Sequence, residues 1–184
     1  GEGQSLDDIA DQILKDGEPE PFELAIKKSV VVRILRHLEA GKNVILVGAP
    51  GVGKTELAKR ILSIFGFRKT HQKGVKSVAT DEWTRWHVIG GLDEKRNFQP
   101  GYVTDAAESG QWLLIDEFNR ADINKAFGEM FLAIEDKEIP LLPAEKKGKY
   151  KDGIHIPNEF RIIGTMNDFD KNLLLTELSY GLIT

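Results

Sequence analysis

An apolar run, Asn43-Val44-Ile45-Leu46-Val47, leads directly into Gly48-Ala49-Pro50-Gly51-Val52-Gly53-Lys54-Thr55, and Glu56-Leu57-Ala58-Lys59-Arg60-Ile61-Leu62 follows with apolar residues at helical spacing. No other stretch constrains the chain as much. The run reads as a buried strand and the last segment as a helix. The middle matches the phosphate-binding loop pattern G-x-x-x-x-G-K-[ST] at every fixed position. Glycines there let backbone N–H groups turn inward around a β-phosphate, with Lys54 reaching the β- and γ-phosphates and the Thr55 hydroxyl placed to ligate Mg²⁺. A phosphate held this way sits at a helix N-terminus. Gly48, Ala49, Pro50, Gly51, Val52, Gly53, Lys54, Thr55 and Glu56 are therefore the expected nucleotide-binding residues, and the ligand is a nucleoside triphosphate.

With 184 residues there is room for one well-packed domain plus appendages. Twenty-nine acidic against 25 basic residues leave a formal net charge of −4, so nothing drives the whole surface toward nucleic acid or acidic membranes. Without cysteine, disulfides, thiolate metal sites and cysteine nucleophiles are excluded. No apolar run approaches the roughly 20 residues of a membrane span and no signal peptide is visible, which makes the cytoplasm the default expectation. The start at Gly1-Glu2-Gly3 reads as a tag remnant or an excised piece of a longer protein.

Ser5-Leu6-Asp7-Asp8 has capping-box spacing, and Leu6, Ile9, Ile13 and Leu14 then form a short amphipathic stripe. Asp16-Gly17-Glu18-Pro19-Glu20-Pro21 breaks it, so residues 1–22 are expected to be a helix and linker before a core over 23–184. Leu24, Ile26, Val30, Val31, Ile34, Leu35 and Leu38 suggest a helix ended by Gly41. Further buried strands are expected at Val75 to Ala79, Trp112 to Ile115 and Phe160 to Thr165. Ile123, Phe127, Met130, Phe131 and Ile134 mark one face of a helix starting near Asp122. Such alternation implies an α/β fold with a mainly parallel sheet and right-handed crossovers. His87 to Gly110 and Glu138 to Pro157 interrupt the alternation, and both read as hairpin-bearing insertions.

Leu113-Leu114-Ile115-Asp116-Glu117 places two carboxylates at the C-terminal end of a strand, where ligands collect in open parallel sheets. Asp116 is positioned to hold Mg²⁺ together with Thr55, while Glu117 is positioned to accept the proton of an attacking water.

These residues resemble the AAA+ ATPases, with Gly48 to Thr55 as Walker A and Leu113 to Glu117 as Walker B. The likeness extends over nearly everything after the linker. It implies a P-loop NTPase core of three α/β/α layers with strand order 5-1-4-3-2. Asn167, in Gly164-Thr165-Met166-Asn167, matches the family's sensor 1, which helps place the hydrolytic water. Asp116-Glu117-Phe118-Asn119-Arg120-Ala121 resembles the signature of the MoxR and McrB-like, dynein-related clade. Phe98-Gln99-Pro100-Gly101 and the segment before Phe160 resemble that clade's helix-2 insert and pre-sensor-1 hairpin. In relatives the Asn-Arg pair lies near the border between subunits, so Asn119 and Arg120 are candidates for signalling to a neighbour; a helix-cap or surface role competes. Relatives continue past the sensor strand to an arginine finger, a fifth core strand and a helical lid. No arginine follows Arg161 here, so finger and lid are expected to be absent and nucleotide turnover weak, since a trans arginine contributes about 10³ to 10⁵ in rate. A missing fifth strand is also expected to expose the edge of the strand at Val44 to Val47.

Three functions compete. The leading one is an ATP-hydrolysing motor or remodelling protein of the MoxR-like chaperone type, acting as a ring, a hexamer by resemblance. Lys54, Glu117 and Asn167 would be its catalytic residues, and its partner a protein substrate or a von Willebrand-type protein. A GTP-dependent, McrB-like restriction motor acting on DNA is the alternative. A slow-turnover, nucleotide-switched scaffold is the third. Lys146, Lys147, Lys149 and Lys151 either meet DNA or an acidic peptide or form a solvated turn. Trp83 and Trp86 read better as packing beneath the insertion than as stacking platforms. His71, His87 and His155 are too scattered for a metal site, which leaves Mg²⁺ as the inferred metal.

Overall fold

The computed structural model describes residues 3–16, 24–51 and 53–167, with the backbone of a further strand at Leu174–Glu177; most of the expected linker, and Val52, lie outside the described residues. Helix α1 (Leu6–Lys15) starts at the expected capping box: the Ser5 hydroxyl accepts the Asp8 N–H at 3.2 Å, and Asp8 accepts the Ser5 N–H at 3.2 Å. Helix α2 (Lys28–Glu39) precedes strand β1 (Val44–Gly48). Helix α3 (Lys54–Arg60) runs on through a π-helical stretch, Ile61–Gly66, into α4 (Phe67–Thr70). Then come β2 (Val75–Val78), α5 (Arg85–Val88), the hairpin of β3 (Gly90–Leu92) and β4 (Phe98–Pro100), and α6 (Tyr102–Glu108). Strand β5 (Leu113–Asp116), α7 (Ile123–Asp136), β6 (Ile162–Asn167) and β7 (Leu174–Glu177) complete the described elements.

Strand order is β2-β5-β6-β1-β7, with the first four mutually parallel. Because side chains alternate across a strand, each buried strand feeds two cores at once. Val44 and Leu46 of β1, Leu114 of β5 and Ile163 of β6 pack with α1, α2 and α3. Ile45, Val47, Leu113, Ile115 and Ile162 pack on the opposite face with α6, α7 and the insert. The result is the expected three-layer α/β/α arrangement. Helix α7 is capped by Asp122, whose carboxylate accepts the Lys125 N–H at 3.1 Å, and it buries Phe127, Met130 and Phe131 as its stripe requires.

Three expectations are corrected. The edge of β1 is not bare: β7 pairs with it antiparallel, Val44 opposite Glu177 and Val47 opposite Leu174, so a strand takes the place assigned to a missing fifth one. Leu174-Leu175-Thr176-Glu177 shows neither alternation nor a continuous apolar run that marks a strand by pattern, whereas the backbone of β1 supplies a template for it. The expected hairpin before Phe160 is reduced to one bridge, Glu138 with His155, flanked by Ile139 N–H to the Ile154 carbonyl and Ile156 N–H to the Lys137 carbonyl, both 2.9 Å. Pro140, lacking an N–H, and Pro143 end the ladder, and short 3₁₀ turns at Pro143–Glu145 and Gly148–Tyr150 replace it. Trp83 packs under the insert as expected, stacked on Tyr102 at 5.0 Å, but Trp86 is about half exposed.

Arg85 holds the insert in place. Its guanidinium grips Glu145 at 2.7 and 3.0 Å, donates to the Gly90 and Pro140 carbonyls at 2.9 and 3.0 Å, and also bonds Glu129 on α7. Burial opposes charge on Glu145, yet the hydrogen bonds from Arg85 and the Leu142 N–H outweigh it and hold the carboxyl below its ordinary value. Arg85→Met, which leaves that carboxylate buried without its cation, is expected to reduce the unfolding free energy by about 3–5 kcal/mol in urea titrations at neutral pH. A depressed carboxyl contributes stability above its unfolded value and loses it as pH falls through the folded one. The gap between wild type and variant should therefore close on acidification.

Candidate nucleotide-binding and hydrolysis site

The loop between β1 and α3 needs backbone that only glycine adopts freely: Gly51 and Gly53 have φ of +84° and +92°. A Cβ on Gly53 would lie 3.5 Å from Leu24 and 3.6 Å from Ile26, so apolar side chains back the loop there, whereas a Cβ on Gly51 would meet nothing within 4 Å. Lys54 is 6% exposed and donates to the Ala49 carbonyl at 2.9 Å, closing the loop on itself. Burial lowers the affinity of its amine for the proton, and the charge of Asp116 works the other way. The Glu56 carboxylate accepts from Arg60 Nε at 2.9 Å, one turn along the same helix.

Asp116 ends β5 almost fully buried. Its Oδ1 accepts from the Thr55 hydroxyl at 2.9 Å and from the Thr165 hydroxyl of β6, and its Oδ2 lies 3.7 Å from Lys76 Nζ on β2. Burial would raise its pKa, but the two hydroxyls, Lys76 and the Glu117 N–H together hold it below the ordinary value. The juxtaposed hydroxyl and carboxylate oxygens are hard donors of the kind Mg²⁺ takes, and the residues present fit that ion. Thr165 and Lys76 were not legible as site residues, because only the pairing of β5 with β6 and β2 brings them to Asp116.

Glu117 is left-handed, φ +53°, a conformation costing a non-glycine residue about 1–3 kcal/mol. The turn is held from several sides: Glu117 N–H donates to Thr165 Oγ1 at 3.1 Å, its carbonyl accepts the Arg120 N–H at 3.0 Å, and Phe118 stacks on Phe127 with centroids 4.1 Å apart. Arg120 Nη1 reaches the Glu117 carboxylate at 2.6 Å. Asn119 Nδ2 donates to the Asn167 carbonyl at 3.3 Å, and Asn167 lies opposite Gly48 in the β1–β6 register. Loop, acidic pair, Asn119, Arg120 and Asn167 are thus assembled at one end of the sheet. Lys146, Lys147, Lys149 and Lys151 are exposed on their turn, with Lys149 over the Tyr150 ring at 4.8 Å.

The parallel sheet, the glycine-turned loop and the acidic strand end at its carboxyl edge define a P-loop nucleoside triphosphatase core. The chain belongs to the AAA domains of the dynein-related subfamily, whose family profile matches residues 43–183. It is similar to the type IV methyl-directed restriction enzyme EcoKMcrB subunit of Escherichia coli strain K12, 29% identical over 171 residues that cover 84% of this chain and 37% of that protein. It is also similar to midasin of Dictyostelium discoideum, 28% identical over 94 residues that cover 48% of this chain and 2% of that protein. The chain thus spans well under two thirds of either relative. Among the described residues no helix is long and apolar enough to cross a membrane.

Thr165 both donates to Asp116 and accepts from Glu117. The near-isosteric Thr165→Val leaves two buried polar groups short of a partner and is expected to cost about 1–3 kcal/mol in unfolding free energy, measured by chemical denaturation.

Proposed function

We propose that this chain is the nucleotide-hydrolysing core of an ATP-driven remodelling protein of the MoxR-like chaperone type, working within a ring, a hexamer, in the cytoplasm. The observation that carries the reading is the convergence of Thr55, Asp116 and Glu117 beside the glycine loop. Loop N–H groups and Lys54 receive the β- and γ-phosphates, once Lys54 leaves the Ala49 carbonyl. Thr55 and Asp116 would hold Mg²⁺, which when bound would supply neutralisation of the phosphate charge. Glu117 accepts the proton of the attacking water, and Asn167, one strand away, orients that water. Arg120, which grips Glu117, must release the carboxylate before it can serve as base. Asn119 and Arg120 would report nucleotide state to a neighbouring subunit, and the partner would be a protein substrate or a von Willebrand-type protein.

A GTP-dependent motor acting on DNA is the second reading, favoured by the likeness to the EcoKMcrB subunit over 84% of this chain. The Lys146 to Lys151 turn would then be a contact for DNA. Binding of ATP and GTP analogues with Mg²⁺ separates the two: ATP preference supports the remodelling reading, GTP preference the restriction motor.

Glu117→Gln is expected to leave nucleotide binding within a few-fold and to lower turnover by about a hundredfold or more, measured by phosphate release alongside analogue binding. Turnover unchanged by Glu117→Gln would refute its role as base. Lys54→Ala is expected to abolish measurable nucleotide binding in the same assay.

A further inference from the structure

The two oxygens of the Asp116 carboxylate have different company. Oδ1 accepts from the Thr55 and Thr165 hydroxyls, whereas Oδ2 faces the Lys76 amine at 3.7 Å, and among the described residues no other cation comes within ion-pair distance of Asp116. In the β2–β5 register Lys76 stands opposite Leu114 and Val78 opposite Asp116. Side chains two residues apart share a face of a strand, so the Lys76 stem follows the face of Leu114 until its amine meets the carboxylate at the strand end. Strand β2 is an edge of the sheet among the described residues, and a lysine on an edge ordinarily extends into solvent, where it discourages edge-to-edge pairing. Lys76 turns back onto the sheet instead: its side chain is 36% exposed and that of Asp116 12%. Lys59 and Lys73 line the groove of about 440 Å³ that Lys76 also lines, so an outward swing would bring its amine toward like charges.

We infer that Lys76 is a positioning residue of the nucleotide site, a tethered counter-ion that balances and orients Asp116 and thereby lowers the affinity of the site for a divalent cation. The inference rests on the reading of Thr55 and Asp116 as the Mg²⁺ residues, and it gives a role to a side chain outside the phosphate loop and the acidic strand end. A dication taken up by Asp116 would share that carboxylate with a positive amine, and the repulsion subtracts from the attraction the carboxylate supplies. Partial exposure of the amine screens this effect without removing it. The hydroxyls of Thr55 and Thr165 are neutral, so among these partners of Asp116 Lys76 alone opposes an incoming cation. Metal would then be taken up chiefly together with nucleotide, whose phosphates add the attraction that Lys76 withholds.

The test titrates the nucleotide-free full chain with Mn²⁺, a paramagnetic stand-in for Mg²⁺ at oxygen ligands, and follows the free-ion signal by electron paramagnetic resonance. Asp116→Asn defines the background from other carboxylates. Lys76→Met and Lys76→Gln, each checked for folding by circular dichroism, should take the Asp116-dependent Mn²⁺ about tenfold more tightly than wild type, with Mg²⁺ competing. Raising the salt concentration should shrink that gain, and Lys76→Arg, which keeps the charge, should behave like wild type. On the Asp116→Asn background, Lys76→Met should leave metal binding unmoved. Affinity unchanged or lowered in both neutral variants, or no Asp116-dependent Mn²⁺ binding by either at millimolar metal, would overturn the inference, as would an equal gain in Lys76→Arg. Failure of ATP and GTP analogues to bind the wild type would sink the nucleotide reading separately, because the Mn²⁺ titration needs no nucleotide.

Discussion

The buried carboxylate of Asp116 ties the end of β5 to α3, β6 and β2. Low-dielectric surroundings penalise its charge, so it persists as an anion only because hydroxyls on α3 and β6 and the amine on β2 surround it. Each of those partners must be delivered in register. Thr55 arrives because the glycine loop turns the chain directly from β1 into a helix, and Thr165 because β5 and β6 pair in parallel from Leu113 to Ile115. Once that node is set, the left-handed Glu117 follows, since its N–H has Thr165 Oγ1 to donate to.

Arginines do comparable work at the periphery. Arg60, on the helix that opens at the phosphate loop, donates to the Ile13 and Leu14 carbonyls at 3.0 and 3.1 Å and so satisfies acceptors that the end of α1 cannot satisfy within itself. It also bonds Glu56, in the first turn of the same helix. Arg85 fastens the insert, the Pro140 to Glu145 segment and α7 to one another. A planar guanidinium suits both places because its fork serves several acceptors at once, which a lysine amine on a flexible stem does less well. The insert and the turn carrying Glu117 are therefore coupled through α7, which Arg85 meets at Glu129 and Phe118 meets at Phe127.

How far the sequence could be followed depended on whether each signal was local. The capping box at Ser5, the stripe on α7 and the apolar runs of β1, β5 and β6 are written in nearest-neighbour chemistry. Strand β7 was missed because its existence depends on a partner edge far away in sequence. The hairpin expected around Ile154 to Ile156 was over-read, since apolar alternation there meets Pro140 and Pro143 on the other side. Trp86 carries an aromatic ring like Trp83, yet only Trp83 has Phe127 and Tyr102 within packing distance.

By itself the sequence determined the phosphate loop, the acidic strand end, the α/β alternation and the membership these imply, because each depends on residues adjacent along the chain or repeating with a helix or strand period. Tertiary structure alone decided which hydroxyls and amine surround Asp116, that Arg120 grips Glu117, that β7 covers β1, and that β2 is an edge of the sheet among the described residues. Those facts arise from contacts between segments dozens of residues apart, whose energies depend on burial and pairing geometry that no local pattern encodes.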